Sequence, residues 1–110
     1  MFGLGKKAHR EIDAGQLAAL LKSGQALVVD VREPDEFADG HVPGAINLPL
    51  STFDPATVPH PGDRTVVLNC LGGKRSGMAL DQCAAAQAAI DTHLAGGFKA
   101  WADAGLPVER

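Results

Sequence analysis

The chain has 110 residues, 45% of them apolar and 21% charged, with a formal net charge of −3. That length suits one domain with one core, and the balance argues against a disordered chain, a membrane-spanning bundle or a basic nucleic-acid binder. The start, Lys6-Lys7-Ala8-His9-Arg10, has no apolar run behind it as a signal peptide requires, so a cytoplasmic setting is the default; the two cysteines could form one bridge in an oxidising compartment, but a Cys in a basic glycine loop reads better as a reactive thiol in a reducing one.

Residues 1–11 carry Gly3, Gly5 and charge without apolar period, which predicts a flexible N-terminal segment ahead of a single domain over residues 12–108. Asp13 with Gln16 reads as a capping box, and Ile12 and Leu17 stand where a hydrophobic staple closes over a helix start. Leu17, Leu20 and Leu21 mark one helical face, and Gly24 suits a left-handed C-terminal cap. Ala26-Leu27-Val28-Val29-Asp30-Val31 is apolar on both faces. Strands of that kind belong to parallel sheets covered from both sides, so the fold class is α/β, an open, mainly parallel sheet with helices on both faces.

Glu33-Pro34-Asp35-Glu36-Phe37 reads as a helix start, with Pro in the first turn and carboxylates near the positive end of the dipole, and Gly40 stops it. The crowded carboxylates read as a solvated face without chemistry. His41, beside the Pro43-Gly44 turn, is the one histidine weighed as a base for Cys70, and its reading is a residue that ties down backbone. Ala45 to Leu48 predicts a short strand stopped by Pro49. Asp30 and Arg32 fall at a strand's C-terminal end, where ligands of open parallel sheets bind; an unpaired carboxylate there would oppose a thiolate, so an Asp30–Arg32 or Glu36–Arg32 structural pair is expected. Pro55, Pro59, Pro61 and Gly62 make residues 51–64 a surface connection, with at most a helical turn around Phe53 to Thr57.

Val66-Val67-Leu68 then delivers Asn69-Cys70-Leu71-Gly72-Gly73-Lys74-Arg75-Ser76-Gly77. A cysteine at a strand end is ordinarily core. Here Gly72 and Gly73 let the backbone curl with its amides inward, and Lys74 and Arg75 add positive charge at a helix mouth; all of this lowers a thiol's pKa. Cys70 is the candidate nucleophile, and Leu71, Gly72, Gly73, Lys74, Arg75 and Ser76 are the candidate substrate-binding residues. Ser76 to about Ala88 is helical by its alanines, with Ala79, Leu80, Cys83 and Ala86 on one face. Cys83 is thus read as buried, roughly 10 Å down the axis, where a disulfide to Cys70 would require unwinding. Ile90 to Leu94 predicts a last strand, followed by Gly96-Gly97 and a short helix whose Phe98 and Trp101 share a face, with Trp101 in the core. No metal-ligand spacing, Walker loop or dinucleotide fingerprint appears, so no metal or cofactor is expected.

These stretches resemble the rhodanese-like family. Val29 to Leu50, Val-Asp-Val-Arg-Glu-Pro-Asp-Glu-Phe-Ala-Asp-Gly-His-Val-Pro-Gly-Ala-Ile-Asn-Leu-Pro-Leu, is similar to the family's N-terminal motif nearly word for word. Cys70 to Arg75 resembles its Cys-x-x-x-x-Arg loop, which cradles a persulfide sulfur; similar phosphatases and arsenate reductases place Arg one position later, where Ser76 stands. Leu94 to Val108, Leu-Ala-Gly-Gly-Phe-Lys-Ala-Trp-Ala-Asp-Ala-Gly-Leu-Pro-Val, resembles the segment that closes the domain beside that loop, while Asp91 and His93 depart from the usual apolar strand.

The resemblance covers about residues 12 to 108 and implies a single-domain sulfurtransferase. Cys70 would take sulfane sulfur from thiosulfate or a low-molecular-weight persulfide and pass it from a Cys70 persulfide to cyanide or a thiol. The amides of Leu71 through Ser76 would hold the outer sulfur's charge, and Lys74 and Arg75 would attract an anionic donor. Two alternatives stay open: a persulfide carrier serving a protein acceptor, and an interaction module that needs no thiol.

Overall fold

The computed structural model describes residues 9–110, so the expectation of flexibility over residues 1–8 lies outside the described residues. Order begins earlier than the sequence reading placed it, because Arg10–Ile12 forms strand β1. Three residues with one aliphatic side chain carry no period to read. Their order comes from the neighbouring strand: β1 pairs in parallel with β5 (Thr92–Leu94), and Arg10 N–H donates to Asp91 O at 2.8 Å.

Helix α1 (Ala14–Lys22) starts on the predicted capping box, with Asp13 Oδ1 accepting from Gln16 N–H and Gln16 Oε1 accepting from Asp13 N–H, both at 2.8 Å. Two of the helix's otherwise orphaned donors are thereby paired. Gly24 takes the left-handed conformation just past the helix, and β2 (Ala26–Asp30) follows with all five residues buried. Helix α2 (Pro34–Asp39), strand β3 (Ile46–Asn47) and strand β4 (Thr65–Asn69) complete the first part of the sheet. The strand order is β1-β5-β4-β2-β3 and every pairing is parallel.

Period-two alternation along the central strands feeds two cores. Ala26, Val28 and Val67 point with Leu94 toward Leu17 of α1 and Trp101 of α4 (Gly97–Asp103). Leu27, Val29 and Leu68 point the other way, toward Ala79, Leu80 and Cys83 of α3 (Lys74–Ala85). Helices therefore cover both faces, as an all-parallel sheet requires. The connection over residues 51–64 is more than a surface link: it holds two 3-10 turns, Leu50–Thr52 and Pro55–Thr57, and buries Phe53 in the α3-side core. Helix α3 ends at Ala85, short of the predicted Ala88, and Ala86 is an exposed C-cap, because Gln87 turns left-handed at φ 57°. The last strand is shorter than predicted, with Ile90 packed against the α3-side core outside it.

No helix among the described residues is long and apolar enough to cross a membrane. The C-terminal ends of β2 and β4 lie side by side, with Asp30 paired to Asn69, and Cys70 follows at that edge.

Candidate active site

Strand β4 ends at Asn69 and α3 begins at Lys74, so Cys70 to Gly73 turn the chain from sheet to helix. Gly73 makes this turn at φ +107°, as the left-handed N-cap of α3, and its N–H donates to Cys70 Sγ at 3.0 Å. Gly72 needs no positive φ and faces open space, so of the two glycines only Gly73 is conformationally obligatory.

The loop's carbonyls turn away from the sulfur. Phe98 N–H donates to Cys70 O at 2.7 Å and Lys99 N–H to Leu71 O at 3.0 Å, so the first turn of α4 satisfies its free donors on the loop's acceptors. Only a glycine permits that approach at position 97: its φ is +61°, and a Cβ there would lie 2.5 Å from both the Cys70 and Leu71 carbonyl oxygens. With acceptors committed to α4, donors remain for the sulfur.

Cys70 is 1% exposed. Burial pushes its thiol up, but the Ser76 hydroxyl and the N–H groups of Ser76, Gly73 and Gly72 outweigh that, leaving it below the ordinary thiol value. Cys83 is the contrast: burial alone pushes it up to about 11, and both cysteines are free.

Behind the sulfur lies a pair of buried polar groups. Ser76, in the first turn of α3, puts Oγ 3.5 Å from Cys70 Sγ, 3.2 Å from Gly73 O and 2.8 Å from His93 Nδ1. His93 stands on β5, with Nε2 3.2 Å from Glu11 Oε2 of β1. His93, and not His41, is the histidine near the thiol. Its signal in the sequence was a polar residue inside an otherwise buried strand. His41 binds as read, with Nδ1 2.7 Å from Phe37 O, Nε2 3.3 Å from Glu109 Oε1 and its ring stacked on Phe37 at 3.7 Å.

The two loop cations differ. Arg75 forks onto Glu36, Nη1 to Oε1 at 2.7 Å and Nη2 to Oε2 at 3.0 Å. This corrects the reading of Glu36 as part of a solvated face or a partner of Arg32. Thirty-nine residues separate the pair, so no local spacing could announce it. The Arg75 hydrogen bonds, against an opposing effect of burial, hold the Glu36 carboxyl down at about 2. Lys74 is exposed and makes no ion pair among the described residues. Arg32 meets Asp30 through Nε and Nη2, at 3.0 and 2.8 Å, in the expected structural pair. Its guanidinium also donates to Gly40 O at 2.7 Å and lies 4.5 Å above the Phe98 ring, bracing α4 against the β2 end of the sheet. Leu71 and Met78 are exposed large apolar residues in and next to the loop.

Fold and site define an α/β domain that holds one thiol in a backbone cradle at the C-terminal edge of a parallel sheet. Residues 13–104 match the family described as Rhodanese-like domain, and the chain belongs to that family. It is 43% identical over 91 residues to an uncharacterized protein of Synechocystis, covering 83% of this chain but only 51% of that protein. A protein of Allochromatium vinosum named Sulfurtransferase is 36% identical over 99 residues, covering 89% of this chain and 92% of that one. Among solved structures, a rhodanese-related protein from Thermoplasma volcanium superposes with a TM-score of 0.77 at 29% identity, over 92% of this chain and 98% of that one. The chain thus spans about half the length of one curated relative and nearly all of another.

Proposed function

We propose that the protein is a sulfurtransferase that carries sulfane sulfur on Cys70, with residues 12–108 acting as one unit in a reducing, cytoplasmic setting. The observation that carries this reading is the Gly73 N–H aimed at Sγ from 3.0 Å while the carbonyls of Cys70 and Leu71 are drawn off by α4. A cradle of donors around a small radius suits a sulfur anion.

The Cys70 thiolate attacks the outer sulfur of thiosulfate or a low-molecular-weight persulfide. An S–S bond forms, and sulfite or a thiolate leaves with the electron pair of the bond that breaks. Cyanide or an acceptor thiolate then attacks the outer sulfur, and Cys70 leaves as thiolate. The loop N–H groups from Leu71 to Ser76 stabilise the outer sulfur's charge, and Lys74 attracts the anionic donor. The Arg75 side chain, paired with Glu36, holds the loop against α2, and the residue meets the outer sulfur through its N–H. A nucleophile on a residue only 1% exposed favours a donor whose reacting atom is a terminal sulfur over a phosphoryl centre hedged by oxygens. The sulfurtransferase name of the Allochromatium relative, nearly all of which this chain spans, agrees with that reading.

A second reading rests on Leu71, 46% exposed, and Met78, 48% exposed, in the loop and on α3 just beyond it. An apolar rim of this kind suits a persulfide carrier that docks on a protein acceptor.

Intact-mass spectrometry after exposure to thiosulfate or glutathione persulfide tests the proposal. The expected result is a gain of one sulfur atom, removed by cyanide as thiocyanate and missing in Cys70→Ser. Absence of the adduct in the native protein overturns the reading. An adduct that turns over poorly on small acceptors favours the carrier.

A further inference from the structure

Buried polar groups are costly unless paired, and Ser76 and His93, 0% and 6% exposed, are buried directly behind the sulfur. Neither side chain is needed to form the amide cradle. They connect the sulfur to the edge of the sheet: Cys70 Sγ to Ser76 Oγ at 3.5 Å, Ser76 Oγ to His93 Nδ1 at 2.8 Å, and His93 Nε2 to Glu11 Oε2 at 3.2 Å.

The direction of each hydrogen bond follows from what each group can do. The Glu11 carboxylate only accepts, so Nε2 carries a hydrogen and, in the neutral ring, Nδ1 is left as an acceptor. Ser76 has one hydrogen to give, and two acceptors compete for it, Nδ1 at 2.8 Å and Gly73 O at 3.2 Å. The shorter contact wins. With its hydrogen on His93, Ser76 presents a lone pair to Cys70 and accepts from the thiol.

We propose that His93 is the proton acceptor for Cys70, with Ser76 as the shuttle between them and Glu11 as the carboxylate that orients the ring. The inference deepens the sulfur-transfer reading, on which it rests for the purpose of the thiolate. The Sγ proton passes to Ser76 Oγ as the Ser76 hydroxyl proton passes to His93 Nδ1; no electron is gained or lost. What remains is a thiolate, a Ser76 hydroxyl now donating to it, and an imidazolium held between Ser76 and Glu11. Reversing both transfers restores the thiol.

The surroundings of His93 support a neutral ring ready to accept. β4 places Leu68 opposite it in register, Gly77 of α3 faces it so that a Cβ there would lie 3.9 Å from its Cε1, and the charged or titratable groups facing it are Glu11, Cys70 by way of Ser76, and His9. The His9 ring stands edge-on, 6.2 Å away, and is held by Asp81 of α3 at 2.8 Å. Burial pushes the His93 pKa down, Glu11 pulls it up and His9 pushes it down again, with the net below the ordinary value. At neutral pH the imidazole is therefore free to take the proton.

The test measures the thiol without any sulfur donor. In a Cys83→Ser background, where Cys70 is the one thiol, the iodoacetamide alkylation rate is followed against pH. His93→Asn keeps a hydrogen-bonding partner for Ser76 but takes no proton, so the alkylation limb should move to higher pH, with a loss of roughly tenfold in rate at neutral pH. Ser76→Ala should show at least that displacement, since the thiolate also loses the Ser76 hydroxyl, and adding His93→Asn to Ser76→Ala should slow alkylation no further, since the path is already broken. A His93→Asn profile that overlays that of the parent overturns the relay.

A second measurement needs no substitution at His93. By NMR, its ring should titrate at lower pH when Cys70→Ser removes the thiolate that favours the imidazolium, and an unchanged midpoint also overturns the proposal. A protein that passes these tests yet gains no sulfur from any donor would overturn the proposed function and leave the relay standing.

Discussion

Lys74 and Arg75 are neighbours in sequence with unequal freedom, since Glu36 neutralises the guanidinium and no described carboxylate neutralises the ammonium. Lys74→Ala should therefore lower kcat/KM for dianionic thiosulfate several-fold more than for glutathione persulfide, whose outer sulfur carries less charge. Arg75→Ala acts through the loop and should penalise both donors alike. Equal losses for Lys74→Ala across donors would reject steering by charge. Cys83, fully buried with its thiol pushed up to about 11, stays protonated and apart from the chemistry. Cys83→Ser should keep sulfur loading while lowering unfolding free energy by about 1 kcal/mol, read by urea titration, as a hydroxyl replaces an apolar thiol in the core. Cys70 was legible in the sequence because the residues whose N–H groups lower its thiol, Gly72, Gly73 and Ser76, lie within six positions of it. His93 was not, because the Ser76 it meets is 17 residues away.

The loop's shape depends on α4, not on the loop alone. Gly97→Ala should cost roughly 1–3 kcal/mol by denaturant titration, combining left-handed strain with a Cβ 2.5 Å from two carbonyl oxygens. It should also raise the thiol's pKa as the cradle is displaced. An unchanged alkylation profile in a destabilised Gly97→Ala protein would separate loop shape from thiol activation. The Glu36–Arg75 fork joins α2 to α3, and its two side chains are 32% and 30% exposed, so its contribution is about 1 kcal/mol or less. Folding lowers the Glu36 pKa from 4.5 to about 2. That contribution is fully present above 4.5 and is lost as pH falls through about 2, because the unfolded chain binds the proton first. Glu36→Gln should thus be less stable than the native protein at neutral pH, with the two stabilities converging as pH falls through that window. A gap that persists in acid would assign the difference to packing. The helix start at Asp13 was legible because a capping box is complete within four residues, and the one at Glu33 because Pro34 and the acidic residues of the first turn stand next to one another.

Across the whole molecule, stability should be highest where the sheet is covered on both faces and flanked on both edges. The amides of Val28 and Val67, in the central strands β2 and β4, should be the slowest to exchange hydrogen, while those of the two-residue edge strand β3 and of β1 should exchange through local opening. Comparable protection of β1 and β4 would show instead that β1 belongs to the global unfolding unit. The sequence by itself determined the α/β class, the loop cysteine and most helix limits, because capping residues, a two-faced apolar run and a glycine turn act within a few residues of one another. Only the tertiary structure decided which distant residues serve the site. Inserting β5 between β1 and β4 carries His93 under Ser76 and sets Glu11 beside it, and folding α2 over the edge of the sheet brings Glu36 to Arg75. The reason is physical: parallel strands are joined by crossovers, so residues adjacent in the sheet are far apart in the chain, and their pairing leaves no local pattern.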